Sequence, residues 1–150
     1  MKAIVIFASL TGNNEEIAEY LTKQLRDHAI DTKMTEMSQT DAADLGGYDI
    51  VLLAPYTYGE GDLPEAGLDL YDDLADTVLS NVVFGVAGSG DSWYKDDFCK
   101  AVTLFDQRLA ETGAHRGSQP VLIDLRMEAD DEGRLTTLVA DILATVSKVS

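Results

Sequence analysis

The sequence is poor in several residue types, and each shortage excludes a class of protein. A single cysteine among 150 residues excludes an internal disulfide and a disulfide-stapled small domain. No apolar run approaches the ~20 residues that a membrane-spanning helix needs. The stretch from Met1 to Ser9 lacks the small-residue cleavage pattern of a signal peptide. These shortages predict a cytoplasmic protein, and the length predicts a single domain over residues 1–150.

Basic residues are also scarce. The chain has 27 acidic residues against 11 lysines and arginines, for a formal net charge of -16. No lysine or arginine lies between Lys33 and Lys95, whereas that stretch holds twelve acids. Such a field repels nucleic acid and anionic membranes, so we expect neither as a partner. Two interpretations stay open: a solvated acidic surface, as in salt adaptation, or a docking face for basic partner proteins.

Strand and helix patterns alternate along the chain. Continuous apolar runs predict strands buried on both faces of a sheet. The predicted strands cover residues 3–8, 32–37, 48–54, 82–87 and 120–125. Apolar residues at helical spacing predict four helices, marked by Ile17, Leu21 and Leu25; by Leu70, Leu74 and Val78; by Phe98, Val102, Phe105 and Leu109; and by Leu135, Leu138, Val139, Ile142 and Val146. The alternation predicts an α/β fold with a parallel sheet covered by helices on both faces.

The loop after the first strand has the composition of an anion site. In doubly wound sheets, ligands bind beyond the carboxyl ends of the strands, where the strand order reverses. Residues 9–14, Ser-Leu-Thr-Gly-Asn-Asn, offer hydroxyls, a glycine and helix N-terminal N–H groups, which favour an anion. The loop lacks the lysine of a P-loop and the three glycines of a dinucleotide fingerprint. Ordinary helix capping by Thr11 or Asn13 is the alternative interpretation.

The loops after the third and fourth strands are rich in glycine and aromatic residues. Together they contain Tyr56, Tyr58, Trp93 and Tyr94, four of the eleven aromatic residues in the chain. Glycines allow a backbone to approach a ligand closely. Aromatic rings at loop tips are costly to leave in water, so their concentration here indicates that they cover something flat.

Together these loops resemble those of the flavodoxin family. The run S-L-T-G-N-N is similar to the family's phosphate loop, T/S-x-T-G-x-T. The runs Y-T-Y-G-E-G-D-L-P and G-S-G-D-S-W-Y-K-D-D-F-C are similar to its loops after the third and fourth strands. The resemblance covers the chain in order and spacing, without the long insertion of some members, and so indicates the short-chain type. It implies a flavodoxin-like doubly wound sheet of five parallel strands, in the order 2-1-3-4-5, and bound FMN.

The resemblance also implies which residues contact FMN. Side chains of the first loop and backbone amides hold the phosphate; Asn14 stands where the family usually has threonine, and its amide is expected to donate there. Tyr58 and Tyr94 cover the two faces of the isoalloxazine, Gly59-Glu60 lies against N5, and the backbone at Asp91 meets the pyrimidine edge. The implied contact set is Ser9, Leu10, Thr11, Gly12, Asn13, Asn14, Pro55, Tyr56, Thr57, Tyr58, Gly59, Glu60, Ser89, Gly90, Asp91, Tyr94, Phe98 and Cys99. For Cys99, burial in a helix is the alternative interpretation.

The implied function is that of a low-potential one-electron carrier with non-covalently bound FMN. Its expected partners are basic redox proteins, such as a flavodoxin reductase and an acceptor enzyme, and it is expected to be a monomer without catalytic residues or a metal. Two alternatives stay open: a small FMN-dependent reductase acting on a quinone-like substrate, and a flavin-free binding module. A response-regulator receiver is excluded, because Ser9 and Pro55 stand where it needs aspartates.

Overall fold

The computed structural model describes residues 1–8, 12–57 and 63–149, apart from the side chains of Asp96 and Asp97. The strands are β1 (Lys2–Phe7), β2 (Asp31–Glu36), β3 (Ile50–Ala54), β4 (Val83–Gly90), β5 (His115–Arg116) and β6 (Val121–Asp124). The helices are α1 (Asn13–Asp27), α2 (Leu68–Leu74), α3 (Lys100–Glu111) and α4 (Ala129–Val149). Within these ranges, no helix combines the length and the apolar character required to cross a bilayer.

All strand pairs are parallel, and the sheet order is β2-β1-β3-β4 followed by β5 and β6, which both pair with β4. The predicted order 2-1-3-4-5 is confirmed, with its fifth place shared by two short strands. Val83 and Phe84 pair with β5, whereas the end of β4 pairs with β6. Between the two strands, a Cβ at Gly117 would lie 2.5 Å from the Ile142 side chain, so α4 packs directly against the break.

Each face of the sheet buries its own apolar cluster. Alternate residues of β1 and β3, such as Val5 and Leu52, pack with α1 and α4 on one face. Their neighbours Ile6 and Leu53 pack on the other face with α2, α3 and the 3₁₀ turns that follow β2. The continuous apolar runs of the sequence therefore arise because these strands are covered on both sides.

Two predicted helix positions are wrong. The helix α2 ends at Leu74, because the Ala75 N–H bonds to the carbonyl three residues earlier and the backbone tightens. Val78 is therefore 79% exposed, and Leu79 enters the core in its place. The helix α3 begins at Lys100 rather than at Phe98. Cys99, with φ at 52°, has left-handed backbone and interrupts any earlier start of the helix. The periodicity of apolar residues therefore continues across breaks that only the backbone reveals.

Candidate functional site

Three loops predicted to form a site meet at the carboxyl edge of the sheet. The Ala8 N–H donates to the Ala54 carbonyl at 3.1 Å, which joins the segments that follow β1 and β3. The Thr57 N–H donates to the Ser89 carbonyl at 3.1 Å, which joins the loop after β3 to the end of β4. The Asn14 side chain also bonds to Ser89. The topology thus brings all three regions together, as the sequence predicts.

The start of α1 suits an anion. Gly12 precedes the helix with φ at 88°, and it has no side chain with which to cap the first-turn N–H groups. Glu16, in the first turn, is paired with Arg126 at 3.1 Å, so part of its charge is compensated. The fifteen-residue helix directs its positive dipole end at this edge. No lysine or arginine occurs from residue 3 to residue 22, so a phosphate here would be held by neutral donors.

Asn14 is fully buried, and its side chain reaches the sheet. Its Oδ1 accepts a hydrogen bond from the Ser89 N–H at 2.9 Å. The sequence predicts instead that this amide donates to phosphate, and that role stays a prediction. The structure adds a contact that the sequence pattern did not indicate, since no periodicity relates positions 75 residues apart.

The loop after β4 is anchored by two carboxylates. Asp91 accepts from the Trp93 N–H at 2.9 Å, which forms an Asx turn. Asp124, at the end of β6, accepts from both the N–H and the hydroxyl of Ser92, at 3.0 and 2.7 Å. These two hydrogen bonds to Ser92 lower the pKa of Asp124. Asp124 and Ser92 are site-shaping residues that the sequence analysis missed, because nothing in the local pattern links them.

This anchored loop presents two aromatic rings. Trp93 is 80% exposed and Tyr94 is 37% exposed. The Tyr94 N–H donates to the Asp91 carbonyl at 3.1 Å, which sets the course of the backbone below the ring. A ring that is only partly covered by protein suits the predicted role of Tyr94 against a flat ligand.

Gly88 and Gly90 allow protein backbone to approach β4 closely. A Cβ at Gly88 would collide with the Pro55 carbonyl oxygen, and one at Gly90 would lie 2.8 Å from the Cys99 nitrogen. Cys99 is fully buried, and its Sγ donates to the Gly88 and Ile123 carbonyls at 3.6 and 3.4 Å. Burial raises the pKa of the Cys99 thiol to about 12. The alternative interpretation of Cys99 is thus correct about burial, although the residue precedes the helix.

Several predicted contact residues lie outside the described residues, and their roles stay predictions: Ser9, Leu10, Thr11, Tyr58, Gly59 and Glu60. Within the described part, Phe98 is half-buried in the turn before α3. Thr57 is buried, and its Oγ1 accepts from the Ala101 N–H at 3.0 Å, so it joins the loop after β3 to the start of α3.

Comparisons with known proteins agree with this geometry. The family model described as Flavodoxin matches residues 5–136. The Probable flavodoxin 1 of Bacillus subtilis (strain 168) is 36% identical over 131 residues, which are 87% of this chain and 82% of that protein. A short-chain flavodoxin associated with a non-canonical PDU bacterial microcompartment is 41% identical, with a TM-score of 0.95, over 97% of this chain and 99% of that one. The flavodoxin of Streptococcus pneumoniae TIGR4 is 43% identical, with a TM-score of 0.93 and the same coverage.

The fold, the loops and the family match all lead to one function. Flavodoxins bind FMN and carry electrons between redox proteins, and they have no substrate chemistry of their own. The match over nearly the whole chain does not favour the alternative of a reductase that acts on a quinone-like substrate. The chain belongs to the flavodoxin family, as a short-chain member, and is a small FMN-binding electron carrier.

Proposed function

We propose that the chain works as a low-potential, one-electron carrier that docks basic redox proteins on an acidic groove beside its flavin loops. The groove has a volume of about 630 Å³ and lies between the turns that follow β2 and the start of α2. Four carboxylates line it: Asp41, Glu65, Asp69 and Asp73. None of the groove's lining residues within the described ranges is basic. This concentration of unneutralised charge is the observation that carries the proposal.

Negative charge near the flavin also favours a low potential. Bound FMN supplies the one-electron redox chemistry, and the protein supplies orientation and electrostatics. Carboxylates near the site disfavour each added negative charge on the ligand, which lowers its affinity for electrons. The α1 N-terminus balances the phosphate at the other end of the ligand, so binding is retained.

The two tyrosines are proposed to cover the isoalloxazine, and their removal tests the site. Stacked rings should quench flavin fluorescence, and Tyr94→Ala or Tyr58→Ala should each weaken FMN binding by about 1–3 kcal/mol, as for bases stacked on aromatic side chains. Trp93→Ala is the matched control, because the neighbouring ring is 80% exposed and should contribute little. Equal binding by the parent and both tyrosine variants would place the rings outside the site.

Electron transfer itself is tested with a basic redox protein of known potential. The FMN-loaded chain, reduced stoichiometrically, should pass single electrons to this acceptor at a rate that falls as salt screens the charges. Sustained oxidation of NAD(P)H by the chain alone, without a reductase, would instead support the alternative that the chain is itself a reductase of a quinone-like substrate.

We further propose that the chain acts as a cytoplasmic, single-domain monomer. The lone, buried thiol of Cys99 is compatible with a reducing compartment. Gel filtration of the loaded protein should give one species near the chain mass of 16.3 kDa, and fractionation of the source cells should place it in the cytoplasm. Elution at twice that mass would contradict the monomer.

A further inference from the structure

We propose that Asn14 is a positioning residue that holds the end of β4 in place for the flavin loops, and that its main role is not as a phosphate ligand. The inference rests on FMN binding at this edge. Its basis is a series of buried hydrogen bonds, here called the switch-point brace, formed by Asn14, Ser89, Thr57 and Ala101.

The brace connects four of the elements at the proposed site. The Asn14 Oδ1 accepts from the Ser89 N–H at 2.9 Å, and the Ser89 carbonyl accepts from the Thr57 N–H at 3.1 Å. The Thr57 Oγ1 then accepts from the Ala101 N–H at 3.0 Å. Asn14, Ser89 and Ala101 are fully buried, and Thr57 is 4% exposed. The start of α1, the end of β4, the loop after β3 and the start of α3 are therefore linked without water.

Asn14 supplies an acceptor for the Ser89 N–H at the point where the regular pairing of β3 with β4 gives way to an isolated parallel bridge between Tyr56 and Ser89. The strand β3 ends at Ala54, whereas β4 continues to Gly90, so Ser89 lies beyond the regular pairing of these two strands. The Ser89 carbonyl still bonds to the Thr57 N–H on the β3 side, and its own N–H takes the Asn14 side chain. A buried N–H without an acceptor is costly, so the Asn14 carboxamide stabilises this extension of β4.

Residue length explains why asparagine serves here. The carboxamide oxygen is one bond farther from the backbone than a threonine hydroxyl, the group that the flavodoxin pattern leads one to expect at this position. Threonine at position 14 would hold its oxygen one bond closer to the helix, and so farther from Ser89. The substitution therefore moves a polar group from the ligand side of the loop to the sheet.

The two roles for Asn14 predict different responses to FMN and riboflavin, which differ only by the phosphate. A phosphate ligand affects FMN binding alone. A positioning residue affects both flavins by the same factor, because it shapes the loops that receive the ring system.

The experiment measures dissociation constants for both flavins by fluorescence quenching in Asn14→Leu, which is nearly isosteric but has no acceptor. We expect both constants to rise about tenfold, the effect of one unsatisfied buried N–H, with their ratio unchanged. The exchange rate of the Ser89 amide proton should rise as well. A loss confined to FMN would assign Asn14 to the phosphate and overturn the inference, as would unchanged binding of both flavins.

A second pair of variants keeps the test decisive if Asn14→Leu does not fold. Thr57→Val removes the acceptor for Ala101 at constant shape, and Thr57→Ser keeps it. Thr57→Val should weaken both flavins equally, whereas Thr57→Ser should bind like the parent. Equal binding by these two variants would overturn the brace. A parent chain that bound neither flavin would instead overturn the flavin site itself.

Discussion

The acidic groove offers a direct test of what its charge does. We consider the triple variant Glu65→Gln, Asp69→Asn, Asp73→Asn, which removes three negative charges from the groove lining at nearly constant volume. All three residues lie at or just before α2, which follows the loop 58–62. If this charge acts on the flavin, the variant should raise the potential of the second one-electron reduction, because that step adds charge to the ligand.

The magnitude follows from Coulomb's law. A unit charge ~10 Å from another interacts with it by about 0.4 kcal/mol in water, and by about 1.7 kcal/mol at an effective dielectric constant of 20. For a one-electron step, a tenfold change in equilibrium constant corresponds to ~59 mV, so each acid contributes about 20–70 mV. The lower end applies to solvated carboxylates, and the effect should shrink further in salt. We therefore expect a combined shift of at least about 50 mV at low ionic strength.

The control removes the same charge from three acids that do not line the groove. Asp31 begins β2, Asp76 follows α2, and Asp141 lies in α4 beside Ile142, which contacts Gly85 near the start of β4. All three acids are exposed. Converting all three to asparagine gives the control variant the same net charge as the groove variant.

The assay is a spectroscopic redox titration of both triple variants, together with their rates of electron transfer to a basic acceptor across a salt series. The groove variant should show the larger potential shift, and its transfer rate should fall more at low salt than at high salt. Equal shifts and equal rates in the two variants would refute the reasoning, because the acidity would then be a general surface property.

Three further predictions concern contacts around the sheet. Arg116→Ala should lower the unfolding free energy in urea by about 1–3 kcal/mol, because it leaves the carboxylate of the nearly buried Asp106 without its two hydrogen bonds; a change within error would contradict this. The lowered pKa of Asp124 means that its bonds stabilise the fold fully above its ordinary pKa of 3.8 and are lost as the pH falls through the lower folded value; Asp124→Asn should remove that part of the acid dependence of unfolding. Cys99 should resist alkylation in the native apoprotein at pH 8 and react once unfolded, since burial raises its pKa to about 12 and blocks access; rapid native labelling would refute this.

The sheet could be predicted from the sequence because its signal is local. The run at 3–8 differs from β1 by one residue at each end, and the run at 48–54 differs from β3 only by two residues at its start, since strands buried on both faces tolerate few polar residues. The strand order came from the resemblance to flavodoxins. The split of the fifth strand was not predicted, because it depends on the packing of α4 against Gly117, far away in the sequence.

The helix ends were harder to predict than the helix faces. Leu70 and Leu74 are buried as their spacing predicts, but Val78, which continues the same spacing, is exposed to solvent. Phe98 likewise has the right spacing for α3 but lies before its start, because the left-handed Cys99 intervenes. Apolar spacing reports which residues reach the core, and turns can bring a residue to the core without a helix.

For the site, too, the sequence predicted the local features and not the long-range contacts. Loop composition was enough to select the three regions that meet at the carboxyl edge. The contacts that hold them together join Asn14 to Ser89 and Ser92 to Asp124, across 75 and 32 residues, and no single motif encodes both partners. Asn14 shows the consequence. Within its motif it is a substitution for threonine that retains a donor, and only in the fold does its oxygen become an acceptor for the Ser89 N–H, at the isolated bridge beyond the end of β3. A change that is conservative for ligand chemistry can thus alter how the sheet positions the ligand.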